Sequence, residues 1–116
     1  MAFPFNPSPS FDAPALITIP GQAEPAEMRV TWKFKGQKDL AAFLAKPAEL
    51  AKDGKTITDG EYLSEVLLAW DVVDGAGDPV PVTPMAIDDF IDKHYHAGGE
   101  FMSTYVTALS EVRAKN

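Results

Sequence analysis

Three aspartates, Asp71, Asp74 and Asp78, stand around Gly75 and Gly77, and hard oxygen ligands on a tightly turning backbone are what calcium needs. An EF-hand order, with a closing Glu at the twelfth position, is absent, so the expected role of the three is a solvated turn. His94 and His96 flank Tyr95 and are the two histidines of the chain. On a helix, residues two apart point about 200° from one another. They therefore make a poor pair for one zinc ion, and the expectation is that His94 or His96 meets the last carbonyls of its helix. Ser64, Ser103 and Ser110 fall in helical patterns without a Gly-x-Ser-x-Gly elbow, and no Gly-rich phosphate loop occurs. Asp88 and Asp89 are adjacent and should splay apart on a helix. Cysteine is absent, which removes disulfides, thiolate metal sites and thiol nucleophiles. The expectation is a noncatalytic protein with no catalytic, cofactor-binding or metal residue and no cofactor.

Charge placement says what such a chain meets. The formal charge is −7, and residues 1–58, 59–100 and 101–116 carry +1, −9 and +1. A phosphate backbone is bound by releasing its counterions to Lys and Arg, so the acidic centre argues against nucleic acid. It suits solubility, or a basic partner protein. The opening Met1 to Asp12 has no Lys or Arg and is broken by Pro4, Pro7 and Pro9, unlike a signal peptide. No apolar run approaches the ~18 residues of a membrane span. No membrane role is expected, and cytoplasm is the expected compartment.

The elements that must position these residues follow from periodicity. Hydrophobic residues make up 46% of 116, enough for one packed domain that hides roughly 65% of its unfolded surface. Residues 1–14 read as an extended Pro/Phe-containing arm, with Phe3, Phe5 and Phe11 either on the domain's own core or free for a partner. Residues 15–116 read as a single domain. Leu16 to Ile19 and Met28 to Lys35 suggest an antiparallel hairpin, with Met28, Val30, Trp32 and Phe34 on the covered face and Arg29, Thr31, Lys33 and Lys35 on the wet one. Such a ribbon needs a lid. Lys33, Lys35 and Lys38 form a small basic patch.

Gln37 to Lys46 predicts a short helix with Leu40, Phe43 and Leu44 inward, stopped by Pro47, with Ala48 to Lys52 open to one or two further turns before Asp53-Gly54 turns the chain. Thr58 and Glu61 have capping-box spacing, and Tyr62, Leu63, Val66, Leu67 and Trp70 predict one buried helical stripe. Asp71 to Pro81 is expected as an acidic turn. Thr83-Pro84 then starts a helix with Ile87, Phe90, Ile91 and His94 inward. Ala97-Gly98-Gly99 is expected to interrupt. A last helix over 100–114 would bury Phe101, Tyr105, Ala108, Leu109 and Val112. Trp32, Trp70, Phe101 and Tyr105 are expected as core. The predicted class is α+β: an N-terminal β-hairpin at about 15–35 followed by a mostly helical bundle of about four helices.

The run Leu67-Leu68-Ala69-Trp70-Asp71-Val72-Val73-Asp74, then Gly77-Asp78-Pro79-Val80-Pro81-Val82-Thr83-Pro84, then a helix near Ile87 to Ile91, resembles the bacteriophage tail assembly chaperones. Those proteins often carry a tryptophan, an acidic Gly-containing turn, a Pro-Val-Pro-like step and a Ser/Thr-Pro helix start. Tyr105, Leu109, Arg113 and the terminal Lys115-Asn116 look like that family's closing helix and basic tail. The resemblance spans about Glu61 to Asn116. It implies a noncatalytic protein of the host cytoplasm, absent from the mature virion, which binds and solubilises the tape measure protein until tail tube protein subunits polymerise around it. Self-association is compatible with a long partner offering many sites. Two other classes carry expectations: a small structural protein of the phage neck or tail, and an acidic DNA mimic. The mimic would need regular, duplex-like carboxylate spacing, whereas these carboxylates cluster in turns and caps.

Overall fold

Trp32 is wholly buried and flanked in sequence by outward residues, and the strand carrying it is the shared member of the main sheet. The structure, a computed structural model, describes residues 2–110. The elements in chain order are β1 (Ser10–Asp12), β2 (Ala15–Ile17), β3 (Ala26–Met28), β4 (Val30–Lys33), α1 (Gln37–Lys52), α2 (Asp59–Leu63), β5 (Leu67–Trp70), α3 (Pro84–Lys93) and α4 (Ala97–Ser110). The fold is α+β, with four of the five strands ahead of the four helices among the described residues. Val112, Arg113, Lys115 and Asn116, expected at and beyond the end of the last helix, lie outside the described residues.

A hairpin is present between β2 and β3, with Ala15 opposite Met28 and Ile17 opposite Ala26, but of the expected second strand, Met28 to Lys35, only Met28 belongs to it. At Arg29 the chain leaves this ribbon, and β4 enters a second sheet of order β1-β4-β5, antiparallel throughout. Alternation survives the break, because Met28, Val30 and Trp32 all remain buried. Lys35 departs from the wet face. Its ammonium pairs with Glu65 at 2.8 Å and lies 5.6 Å above the Phe43 ring. The expected arm also divides: Ser10–Asp12 pairs with β4 and Phe11 stacks on Tyr105 at 6.2 Å, so the domain begins before residue 15.

The lid over the sheet is α4. Phe101 and Tyr105 approach the Trp32 ring to 6.3 and 5.3 Å, and the Tyr105 hydroxyl donates to the Lys33 carbonyl at 2.8 Å. Fully burying side chains of this size stabilises the fold by roughly 1.5–3 kcal/mol each. Trp32 Nε1 donates to the Ala13 carbonyl, so its polar edge is satisfied inside.

Three helix boundaries differ from the sequence expectation. α1 runs through Pro47 to Lys52. A proline at that position cannot donate to the carbonyl four residues earlier, which is that of Phe43. The Tyr62 hydroxyl takes the missing amide's place, donating to Phe43 O at 2.7 Å, while the two rings stack at 4.4 Å. α2 starts at Thr58 with the capping box complete but ends at Leu63, and Leu67–Trp70 is strand rather than helix. The free edge of β4 decides this: Lys33 N donates to Val66 O at 2.8 Å, and β5 completes the ladder. Finally, Ala97-Gly98-Gly99 forms the first turn of α4 instead of interrupting it. Among the described residues, no helix is long and apolar enough to cross a membrane.

Candidate functional site

Residues 67–90 fold as one hydrogen-bonded unit. β5 ends at Trp70, whose Nε1 donates to Val80 O at 2.7 Å across a hairpin closed by Val80 N to Val72 O at 3.0 Å. Asp74 Oδ1 accepts from the amides of Ala76 and Asp78 at 2.9 and 3.0 Å. Gly77 supplies the left-handed corner at φ +85°. Thr83 Oγ1 then accepts from the Ala86 amide, and Pro84 opens α3. Asp71 points elsewhere, accepting from the Arg29 amide at 3.2 Å. The carboxylate of Asp74 holds the turn, and no three His, Asp or Glu side chains converge as a metal cluster among the described residues.

The other chemistry-bearing residues are dispersed. His94 ends α3 stacked on Phe90 at 4.2 Å, and its Nδ1 is buried without a partner. The helix end is closed by the His94 backbone amide donating to Phe90 O, not by its imidazole as expected. His96 is exposed and lies edge-on to Tyr95. Ser64 and Ser110 donate to carbonyls of their own helices, at Glu61 and Val106. Asp88 and Asp89 do splay: Asp88 Oδ1 accepts from the Gly60 amide at 2.7 Å, whereas Asp89 is exposed. Of the lysine patch, Lys33 and Lys38 are exposed and Lys35 is tucked inward.

Sequence periodicity did not single out Glu65, Gly60 or Tyr62 as junction residues. Glu65 receives Lys35 at 2.8 Å and Lys46 at 3.1 Å, joining α1, the end of β4 and the turn after α2. The Lys35 hydrogen bond, more than any other cause, holds its carboxyl below the usual range, assisted by Lys46. Burial, followed by the negative charge of Glu65, pushes the Tyr105 phenol up to about 12. The same causes raise Tyr62. Gly60 sits where α2 meets α3, and a Cβ there would fall 1.9 Å from Pro84 O. Its signal was present but ambiguous, since glycine in the first turn of a helix also reads as a weak helix former.

Among the described residues, three open concavities stand out. One of about 470 Å³ lies where the ends of β1, β4 and β5 meet, between Asp12, Arg29, Thr31, Trp70 and Asp71. Asp12, Glu27 and Asp71 surround the single Arg29 there, and Thr31 Oγ1 donates to Asp12 at 2.8 Å. A second, of about 380 Å³, runs between β2 and α4 and is lined by small and apolar side chains, Pro14, Leu16, Thr104, Thr107 and Ala108 among them. The third, of about 360 Å³, adjoins it through Ala108 and lies at the root of the arm beside Pro7, Phe11 and Phe34. Their chemistry is that of shape and apolar contact, with a carboxylate rim at the first.

The class defined by this fold and these surfaces is a small α+β domain with shallow concavities on the two sheets and α4. No protein-family model matches the chain, and neither the search of curated proteins nor that of solved structures returns a match.

Proposed function

We propose that the chain is a phage tail assembly chaperone. In this proposal it is a noncatalytic protein of the host cytoplasm that binds and shields the tape measure protein, helps recruit tail tube subunits and is left out of the finished particle. The supporting observation is the unit 67–90, where the residues that carry the family resemblance also bond to one another: Trp70 to Val80, Asp74 within its turn, and Thr83 to the start of α3. A motif whose members hold each other is one a family would share as architecture. The physical task also fits. Long amphipathic helices aggregate when bare, and shallow apolar grooves on a small domain can cover them by helix-in-groove contact. The −9 charge of residues 59–100 gives a basic segment of such a partner long-range attraction.

The test is co-expression with the tape measure protein of the same phage, followed by purification through either partner. A soluble complex that survives purification is expected, and a tape measure that stays insoluble and unbound in every combination refutes the proposal. Mass spectrometry of purified particles separates the structural alternative. Stoichiometric retention in the virion would make the protein a neck or tail component.

A further inference from the structure

We infer that α1 is a flap that opens as one piece while the rest of the domain stays folded, uncovering an aromatic floor made by Tyr62 and Tyr105. This inference stands independently of the chaperone proposal, because it rests only on how α1 is joined to the body beneath it.

α1 is the longest helix among the described residues and the one its side chains anchor least. Of its 16 residues only Phe43 is buried, with Leu40 partly buried against the core, and Leu44 is 43% exposed. The shorter α4 buries Ala97, Phe101 and Tyr105. Every other buried apolar side chain comes from outside α1. The polar ties are equally few. Among the described residues, α1 reaches the body through Lys46, paired with Glu65 at 3.1 Å, and through Phe43 O, which accepts from the Tyr62 hydroxyl at 2.7 Å. No backbone hydrogen bond joins it to another element.

Both ends of the helix suit a moving part. Gly36 caps the first turn without a side-chain hydrogen bond. At the other end the amides of Asp53, Gly54 and Lys55 donate back to Leu50 and Ala51, with Gly54 at φ +71°. That turn therefore travels with the helix, and the joint falls between Lys55 and the Thr58 cap of α2. Pro47 weakens α1 from within, since it cannot supply the bond to Phe43 O that Tyr62 replaces. A detached helix of this length with a central proline is marginal in water, so opening and melting of α1 coincide.

What α1 leaves behind holds itself together. Tyr105 stays packed on Trp32 at 5.3 Å and on Phe11 at 6.2 Å, with its hydroxyl on Lys33 O. Glu65 keeps Lys35 at 2.8 Å when Lys46 departs, so no carboxylate is stranded. The Lys46 side chain is 43% exposed, and exchanging such a pair for water costs little. The main loss on opening is the burial of one ring, since Phe43 lies 4.4 Å from Tyr62 and 6.0 Å from Tyr105. A segment with so few buried apolar contacts opens below the limit set by global unfolding.

The test is native-state hydrogen exchange of the full chain, read by NMR at increasing urea. The amides of Phe43 and Leu44, central in α1, should be less protected than those of Lys33 and Tyr105 and should respond weakly to urea until global unfolding takes over. Lys33 N donates to Val66 O and Tyr105 lies within α4, so both report on the body. Tyr62→Phe removes a tie present only in the closed state and should speed exchange at Phe43 and Leu44 by ~5–150-fold. Ile87→Val, buried in α3, weakens the closed and open states alike. It should speed Lys33 and Tyr105 by ~2–12-fold and leave Phe43 and Leu44 unchanged. Ile17→Val in β2 makes the same comparison if I87V does not fold. Phe43 and Leu44 amides that respond to urea as steeply as Lys33 and Tyr105, or that speed up with them in I87V, overturn the inference. Unchanged exchange at Phe43 and Leu44 in Y62F overturns it as well.

Discussion

Tyr62→Phe should destabilise the fold through a carbonyl in another helix. The Tyr62 hydroxyl donates to Phe43 O at 2.7 Å, and the residue that would ordinarily donate to that carbonyl is Pro47, which has no amide hydrogen. Phenylalanine keeps the ring stacking on Phe43 and removes only the donor. A partly buried acceptor left without its partner costs about 1–3 kcal/mol. With an unfolding entropy of roughly 2.1 cal/mol/K per residue, each kcal/mol lowers the Tm of a chain this long by about 4 °C, so a fall of about 4–12 °C is expected. The diagnostic experiment is a double-mutant cycle with Pro47→Ala. Alanine returns the backbone amide, and a carbonyl can accept two hydrogen bonds, so the hydroxyl becomes largely redundant. Y62F should then cost at least about 1 kcal/mol less in the P47A background than in the native one, a coupling typical of residues sharing a partner. Urea and thermal unfolding followed by circular dichroism would measure all four corners. Equal costs of Y62F in both backgrounds would refute the idea that the tyrosine replaces the amide.

Gly60→Ala should destabilise by about 1–3 kcal/mol through overpacking, because the new Cβ would lie 1.9 Å from Pro84 O and 2.7 Å from Asp88 Cγ. Helix propensity alone predicts the opposite sign, so a raised Tm would show that α2 and α3 do not pack this closely. Tyr105 binds its proton more tightly when folded, with its phenol raised from 10.0 to about 12. Its contribution to stability is therefore complete below pH 10 and lost as the pH rises toward 12, and Tyr105→Phe should flatten that alkaline loss in pH-dependent melts. Glu65 has the opposite sign: its lowered folded value gives stability that is present above the ordinary 4.5 and lost as pH falls through the folded value. Glu65→Gln should be less stable at neutral pH and show a shallower decline in acid; an unchanged acid slope would count against the Lys35 and Lys46 pairing.

Elements governed by local chemistry were legible in the sequence, and those governed by a distant partner were not. The capping box of Thr58 and Glu61 and the Thr83-Pro84 start are encoded within four residues, and both stand as expected. The alternation of Met28, Val30 and Trp32 located the buried face correctly even though the chain changes sheets at Arg29, since alternation reports burial and not pairing. Leu67–Trp70 was misread because Tyr62, Leu63, Val66, Leu67 and Trp70 satisfy a helical period, while the unpaired edge of β4 that recruits them is more than thirty residues away. Pro47 was misread for the same reason: the hydroxyl that makes it tolerable comes from another helix. Of the surface concavities nothing was legible. They arise where β2, β4 and α4 meet, and no local pattern carries that information.

The residues on which the chaperone proposal rests are structural ones, so a test of binding must look elsewhere on the same unit. Trp70, Asp74 and Thr83 each have their polar atoms engaged within the unit 67–90. Trp70 also packs on Phe90 at 5.6 Å and Phe101 at 6.5 Å, which ties β5 to α3 and α4. A Trp70→Ala variant that failed to bind a tape measure protein would thus report a lost fold. The same unit presents Leu68, Val73 and Met85 outward at 46%, 57% and 74% exposure, where replacement by a polar residue removes contact surface and leaves packing intact. Single changes at such exposed positions are worth within about 0.5 kcal/mol of stability. Loss of partner capture by a Met85→Gln or Leu68→Gln protein with an unaltered melt would therefore be attributable to contact, while full capture by both would move the binding surface away from this unit.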